Sequence, residues 1–191
     1  MASDQIVLDL ETQKSFDEVG GRNFSQLGVS LVGIYSYATQ KFEAFRETEL
    51  AQLETRLSEA SRIIGFNTNR FDFPVLQPYM KYLNLAKLPS LDLLQELETI
   101  LGHRVSLNSV AQATLNVGKG GSGLDAIAYY RSGDFASLEK YCLQDVRITR
   151  DVYEFGKLNG QVLYQSKDKV YRLEAKVNWQ DPKPPANLSL F

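Results

Sequence analysis

Ile6-Val7-Leu8-Asp9-Leu10-Glu11 sets two carboxylates into a segment that is otherwise apolar. A short apolar run of this kind reads as a strand buried on both faces, the kind found inside an α/β sheet. The strand is expected over Ile6 to Leu10, with Glu11 just after it. Side chains alternate along a strand, so Val7, Asp9 and Glu11 share one face. Two neighbouring carboxylates in a half-buried place repel, unless something positive lies between them. The C-terminal ends of strands are also where α/β sheets keep their sites. The plainer alternative is that the strand frays at Asp9 and both acids are wet.

The rest of the chain supports an α/β domain. Leu27 to Tyr37 and Lys41 to Phe45 read as a strand pair joined by Ala38-Thr39-Gln40. Glu47 to Ser61 carries Leu50, Leu53 and Leu57 at helical spacing. Arg62 to Phe66 and Pro89 to Asp92 read as further strands. Helices are expected from Asp72 to about Leu83, Leu93 to Leu101, Ser106 to Thr114, Leu124 to Arg131 and Phe135 to Phe155. Ser106 is placed to cap its helix and Gly156 to stop the last one. Val162-Leu163-Tyr164 and Val170 to Val177 make a C-terminal hairpin. Early antiparallel strands followed by strands alternating with helices predict a mixed sheet flanked by helices. The domain is expected over 1–177, with hairpin 161–177, and a Pro-rich tail over 178–191.

Composition narrows the class. A chain of 191 residues with 43% hydrophobic and 23% charged residues can bury a core without staples. No apolar run is long enough to span a bilayer. The start, Met1-Ala2-Ser3-Asp4-Gln5, lacks the layout of a secretory signal. A lone Cys142 excludes an intramolecular disulfide and a multi-cysteine zinc site. The formal charge of −2 speaks, on its face, against a nucleic-acid partner.

Two more acids stand out. Asp72 follows a strand within Gly65-Phe66-Asn67-Thr68-Asn69-Arg70-Phe71-Asp72-Phe73-Pro74. It also suits the N-cap of a helix that Pro74 opens. Asp145 borders the apolar stripe Leu138, Cys142, Val146, Val152, and Tyr141 shares its face one turn earlier. The plainer reading pairs Asp145 with Arg147 or Arg150. Together, Asp9, Glu11, Asp72 and Asp145 are suited to two hard divalent cations, Mg²⁺ or Mn²⁺. Two such ions clamp the attacking and leaving oxygens of a phosphoryl displacement.

With those residues in hand, the sequence resembles the DEDD 3′–5′ exonucleases of the ribonuclease H-like superfamily. Asp9-Leu10-Glu11-Thr12 is similar to their first motif. Asn67-x-x-x-Phe71-Asp72, with Pro74 and Leu76, resembles the second motif in its family B DNA polymerase form. Tyr141-x-x-x-Asp145 resembles the third in its tyrosine version; the histidine version needs a His where Lys140 stands. His103, the single histidine, therefore reads as structural or surface. The resemblance covers about residues 5–155 and implies a ribonuclease H-like fold in a stand-alone relative of the polymerase exonuclease domain. It implies that the four carboxylates hold the metals and that Tyr141 orients the attacking water. It implies that Asn67, Leu10 and Thr12 contact the substrate near its 3′ end. Phe71 reads as core. The activity implied is removal of nucleotides from 3′ ends of single-stranded DNA, in repair or proofreading. An exoribonuclease on the same fold and a non-catalytic nucleic-acid-binding clamp adaptor are the alternatives.

Two segments remain. Gly118-Lys119-Gly120-Gly121-Ser122-Gly123 lacks the phosphate-loop order and reads as a surface loop or a mobile one beside the site. Arg70, Lys81, Lys119 and Arg131 are candidate phosphate contacts. Asn187-Leu188-Ser189-Leu190-Phe191 resembles the bacterial sliding-clamp-binding pentapeptide, with Asn in place of Gln. A proline-rich tether presents such a motif at little entropic cost, whereas a tail folded back on its own domain is the alternative. The implied partner is the clamp, through Leu188, Ser189, Leu190 and Phe191. The implied setting is a bacterial cytoplasm, near the nucleoid. Two divalent ions bring four positive charges against a formal −2, which softens the charge objection.

Overall fold

The computed structural model describes residues 4–118, 120–166 and 170–181. Lys119 and the clamp-like residues 187–191 therefore lie outside the described residues.

Strand β1 (Asp4–Thr12) is central in a five-stranded sheet. With β2 (Val29–Ser36), β3 (Lys41–Arg46), β4 (Ala60–Gly65) and β5 (Ser90–Asp92), the order is β3-β2-β1-β4-β5. The first three strands pair antiparallel, and β4 and β5 add in parallel. The sheet is thus mixed, as the alternation of elements predicts. Among the described residues six helices flank it: α1 (Leu50–Ser58), α2 (Asp72–Leu76), α3 (Leu93–Leu101), α4 (Leu107–Leu115), α5 (Gly123–Ser132) and α6 (Phe135–Asn159). A separate hairpin, β6 (Gln161–Gln165) and β7 (Arg172–Lys176), follows.

The alternation along β1 decides the layers. Ile6, Leu8 and Leu10 enter a core with Leu53 and Leu57 of α1 and Phe73 and Leu76 of α2. Val7 enters the opposite core, with α3, α4, α6 and the hairpin. Asp9 and Glu11 continue on that second face, beyond the point where apolar packing ends. The register with β4 runs only to Val7↔Ile64, so the two strands part there. A crevice opens at the C-terminal end of β1, as it does where parallel strands diverge in α/β sheets.

Several boundaries differ from expectation, each for a local reason. Helix α2 stops at Leu76 rather than running to Leu83, and a 3-10 turn covers Gln77–Tyr79. Pro78 has no amide to donate, so the helix does not continue through it. Helix α6 runs through Gly156 to Asn159 and ends at Gly160, whose φ is +68°. Gly156 is a packing glycine: a Cβ there would lie 2.4 Å from the Trp179 ring. Ser106 caps α4 as expected, its hydroxyl accepting from the Ser109 amide.

The chain also stays packed past 178, where sequence alone suggests a tether. Trp179 is fully buried and stacks on Tyr153. Asp181 accepts hydrogen bonds from Gln5, Tyr153 and Lys157.

Candidate active site

The crevice beside β1 is a cleft of about 370 Å³. Asp9, Glu11, Asp72, Tyr141 and Asp145 all line it, as do Leu10 and Thr12. Sequence alone brings these residues together only as a pattern; the fold brings them to one place from three elements. Asp9 and Glu11 come from the end of β1, Asp72 from the first turn of α2, and Tyr141 and Asp145 from one face of α6.

Their burial sets them apart from surface acids. Asp145 is 2% exposed, Asp72 3% and Glu11 8%, while Asp9 is half-buried. Carboxylates are seldom this buried unless they are paired or bind metal. Position bears on each of the plainer alternatives. Phe71, not Asp72, occupies the N-cap of α2. The Asp72 carboxylate instead accepts the Leu10 amide at 3.1 Å, on the edge of β1 that β4 leaves unpaired. Arg150 bonds to Asp151 and lies over Tyr35 and Phe42, and Arg147 lies over Phe42. Both arginines are thus engaged with other partners.

Close packing of α6 makes the convergence possible. Asp9 pairs across the ladder with Gly33. A Cβ at Gly33 would sit 2.9 Å from Cys142 Sγ and from Val146. Without it, the helix lies directly on β2, and the Cys142 thiol donates to the Asp9 carbonyl oxygen at 3.7 Å. Burial pushes the Cys142 thiol well above its ordinary range, and the charges of Asp9, Glu11 and Asp145 push it further. The thiol therefore senses three of the four carboxylates.

The donor chemistry fits hard cations. Ligand atoms of Asp9, Glu11 and Cys142 lie within 4.8 Å of one another. Hard divalent cations take oxygen in preference to sulfur, which leaves the carboxylate oxygens as donors. Asp72 and Asp145 face the same cleft and would complete an all-oxygen set.

The remaining expected residues divide. Leu10 buries its side chain in the core, and Thr12 donates its hydroxyl to the Lys14 carbonyl. Asn67 does not line the cleft. It adopts φ +73°, donates its amide to Asp92, and accepts from Arg104. It lies in an adjoining groove with Arg22, Phe24, Arg70 and Arg104, and Phe16 and Phe71 wall both spaces. Phe71 is thus half-buried at a site boundary rather than simply core. His103 is outside the cleft, with its ring edge-on to Tyr164. Of the candidate phosphate contacts, Arg131 is paired with Glu18, Arg70 with Glu98, and Lys81 lies over Tyr82.

Sequence reasoning missed Phe16, Leu124 and Ile127 as cleft walls. No local signal marks them, because they reach the cleft from loops and α5 only in three dimensions. It also missed Asp92, a buried acid that caps α3 and holds the Asn67 and Asn69 amides. An Asp just before an apolar helical run is a signal that would have found it.

Comparison with known proteins agrees with this geometry. The RNase_H_2 family model, described as RNase_H superfamily, matches residues 6–155. The structure is similar to that of the family B DNA polymerase from the hyperthermophilic archaeon Pyrobaculum calidifontis, with TM-score 0.61 and 16% identity. The similarity covers 82% of this chain and 25% of the polymerase, so this chain spans about a quarter of that protein. No curated protein matches the sequence. With a matching model over most of its length and a mixed sheet bearing acids at the end of its central strand, the chain belongs to the RNase H superfamily.

Proposed function

We propose that the protein is a metal-dependent 3′–5′ exonuclease that removes nucleotides from the 3′ ends of single-stranded DNA. The observation that carries this reading is the convergence of four acids, three of them buried, on one cleft. Superfamily membership and the polymerase-like fold support nuclease activity in the broad sense. The exonuclease polarity rests on the three motifs.

In this reading Asp9, Glu11, Asp72 and Asp145 hold two divalent cations, Mg²⁺ or Mn²⁺, directly or through water. Such ions, when bound, activate a water and stabilise the leaving 3′ oxygen. Asp72 also fixes the backbone at Leu10, so it locks the position of the strand that carries Asp9 and Glu11. Tyr141 sits one turn from Asp145 and directs its hydroxyl toward the attacking water. Thr12 and the backbone at Leu10 line the cleft where the terminal nucleotide would sit, the Leu10 side chain being packed in the core. The tail motif, Leu188 to Phe191, recruits the enzyme to a bacterial sliding clamp, which raises its effective concentration at DNA.

The test is a 5′-labelled single strand, as matched DNA and RNA, incubated with Mg²⁺ or Mn²⁺. Stepwise shortening from the 3′ end that stops in EDTA is expected, with DNA preferred. Activity that survives excess EDTA would falsify the metal reading, and a preference for RNA would move the assignment to an exoribonuclease. Tyr141→Phe should lower kcat about 10- to 100-fold and leave the Mg²⁺ dependence unchanged. For the tail, a pull-down should recover clamp with the full chain and not with one ending at Pro185.

A further inference from the structure

The cleft has two neighbours, and they differ in charge. One is lined by Ser15, Glu18, Leu124 and Arg131, where the Arg131 guanidinium is already paired with Glu18. The other is a groove of about 320 Å³ lined by Arg22, Arg70 and Arg104 with Phe16, Phe24 and Phe71. Among the described residues no acid lines it, although the chain as a whole carries −2. Phe16 and Phe71 line both cleft and groove, so the two adjoin across a shared aromatic wall.

We propose that this groove holds the phosphates of the strand upstream of the scissile bond, so that the substrate is a single strand several nucleotides long. The proposal rests on the nuclease reading and adds its strand path. Three features support it. Arg104 is positioned in advance, donating to Asn67 Oδ1 at 2.9 Å, whereas Arg70 is paired with Glu98 and Arg22 is exposed. Asn67 is itself fixed, its amide on Asp92 and its carbonyl accepting the Arg70 and Phe71 amides. Arg104 therefore keeps its charge while its direction is set by a neutral partner. Guanidiniums held this way suit phosphate, whose oxygens accept forked donors. Third, Phe16, Phe24 and Phe71 pack edge to face, with centroids 5.7 to 6.2 Å apart, and each is only half-buried. Partly exposed rings beside a positive groove are the usual surface for unpaired bases.

The experiment compares two substrates on the full chain. One is a 5′-labelled twelve-nucleotide thymidine strand; the other is the p-nitrophenyl ester of thymidine 5′-monophosphate, which carries one phosphate and no upstream strand. Arg22→Ala and Arg104→Ala should each raise KM for the strand about tenfold with kcat within threefold. The ratio of strand to ester kcat/KM should fall by a similar factor. The slope of log KM against log salt should decrease by about 0.7 for each phosphate that the variant no longer neutralises. Arg104→Lys should restore most of the salt slope, and Lys41→Ala, on the edge strand β3 and outside cleft and groove, serves as the control. Equal losses on strand and ester, or an unchanged KM, would overturn the groove. If the wild type cleaves neither substrate, the nuclease reading fails by itself. Anisotropy of the labelled strand in Ca²⁺ then decides the groove: weaker binding in the arginine variants supports it, and identical binding overturns it.

Discussion

Toward the first third of α6, the helix lies against β2 where Gly33 lacks a Cβ, and Cys142 and Val146 fill the space. Near its other end the missing Cβ is on the helix itself, at Gly156, where the Trp179 ring takes up the space. Both contacts use the same device, a glycine that lets two elements approach within van der Waals distance. What they bring together is opposite. The first places Asp145 and Tyr141 beside Asp9 and Glu11, acids that repel one another. The second buries Trp179 and Tyr153 with Val162 and Val177, surface that favours folding. One helix therefore carries chemistry at one end and stability at the other, and the two should separate under mutation.

The largest effect is expected at the chemical end. Asp145→Asn should lower kcat on a labelled single strand by at least about a thousandfold, or roughly 4 kcal/mol in barrier. Its thermal midpoint without added metal should hold or rise, because one of several crowded charges is gone. A lower midpoint together with full activity would reverse the division. At the stabilising end, Trp179→Ala should reduce unfolding free energy in urea by about 3–5 kcal/mol. Its kcat, measured well below the midpoint, should stay near wild type. Trp179→Phe should lose much less. The indole N–H has no hydrogen-bond partner among the described residues, so removing it relieves an unsatisfied donor.

Gly33→Ala tests the link between packing and chemistry. The added methyl meets Cys142 Sγ and Val146 at 2.9 Å, and overpacking of this kind costs about 1–3 kcal/mol. If α6 moves away from β2 to relieve it, Asp145 and Tyr141 retreat from Asp9 and Glu11. The Mg²⁺ concentration for half-maximal activity should then rise several-fold. A stability loss with unchanged Mg²⁺ dependence would mean that the helix position is set elsewhere.

These two ends also differ in how far they could be read from sequence. Asp9, Glu11, Tyr141 and Asp145 were legible because strand alternation and helical spacing fix which side chains share a face. Both face assignments hold in the structure: Val7 and Ile6 enter opposite cores, and Tyr141 and Asp145 line one cleft. The stabilising end was misread at Gly156 and Trp179. A glycine late in a helix has the same local signature whether it ends the helix or admits a ring, and only the partner, 23 positions on, decides. Asn67 marks the same limit at the site. Its motif gives no sign that its backbone turn and Arg104 put the side chain in the groove rather than the cleft.

The smallest effect concerns what fastens the Trp179 segment. Asp181 accepts hydrogen bonds from Lys157, Gln5 and Tyr153. The Lys157 hydrogen bond, then that of Gln5, holds its carboxyl below the ordinary value of 3.8. A carboxyl whose folded value lies below its unfolded one adds stability above the unfolded value, and that stability is lost as pH falls through the folded one. The contribution should therefore be full at neutral pH and disappear below about pH 4. Because the Asp181 side chain is half-exposed, screening limits it to under about 1 kcal/mol. Asp181→Asn should lower the urea midpoint slightly at pH 7, and the difference from wild type should shrink steadily as pH falls below about 4. Its activity should not change, since none of the described residues in the loosened segment lines the cleft. A loss of activity in this variant would show that the two ends of α6 are coupled, and the division between them would need to be redrawn.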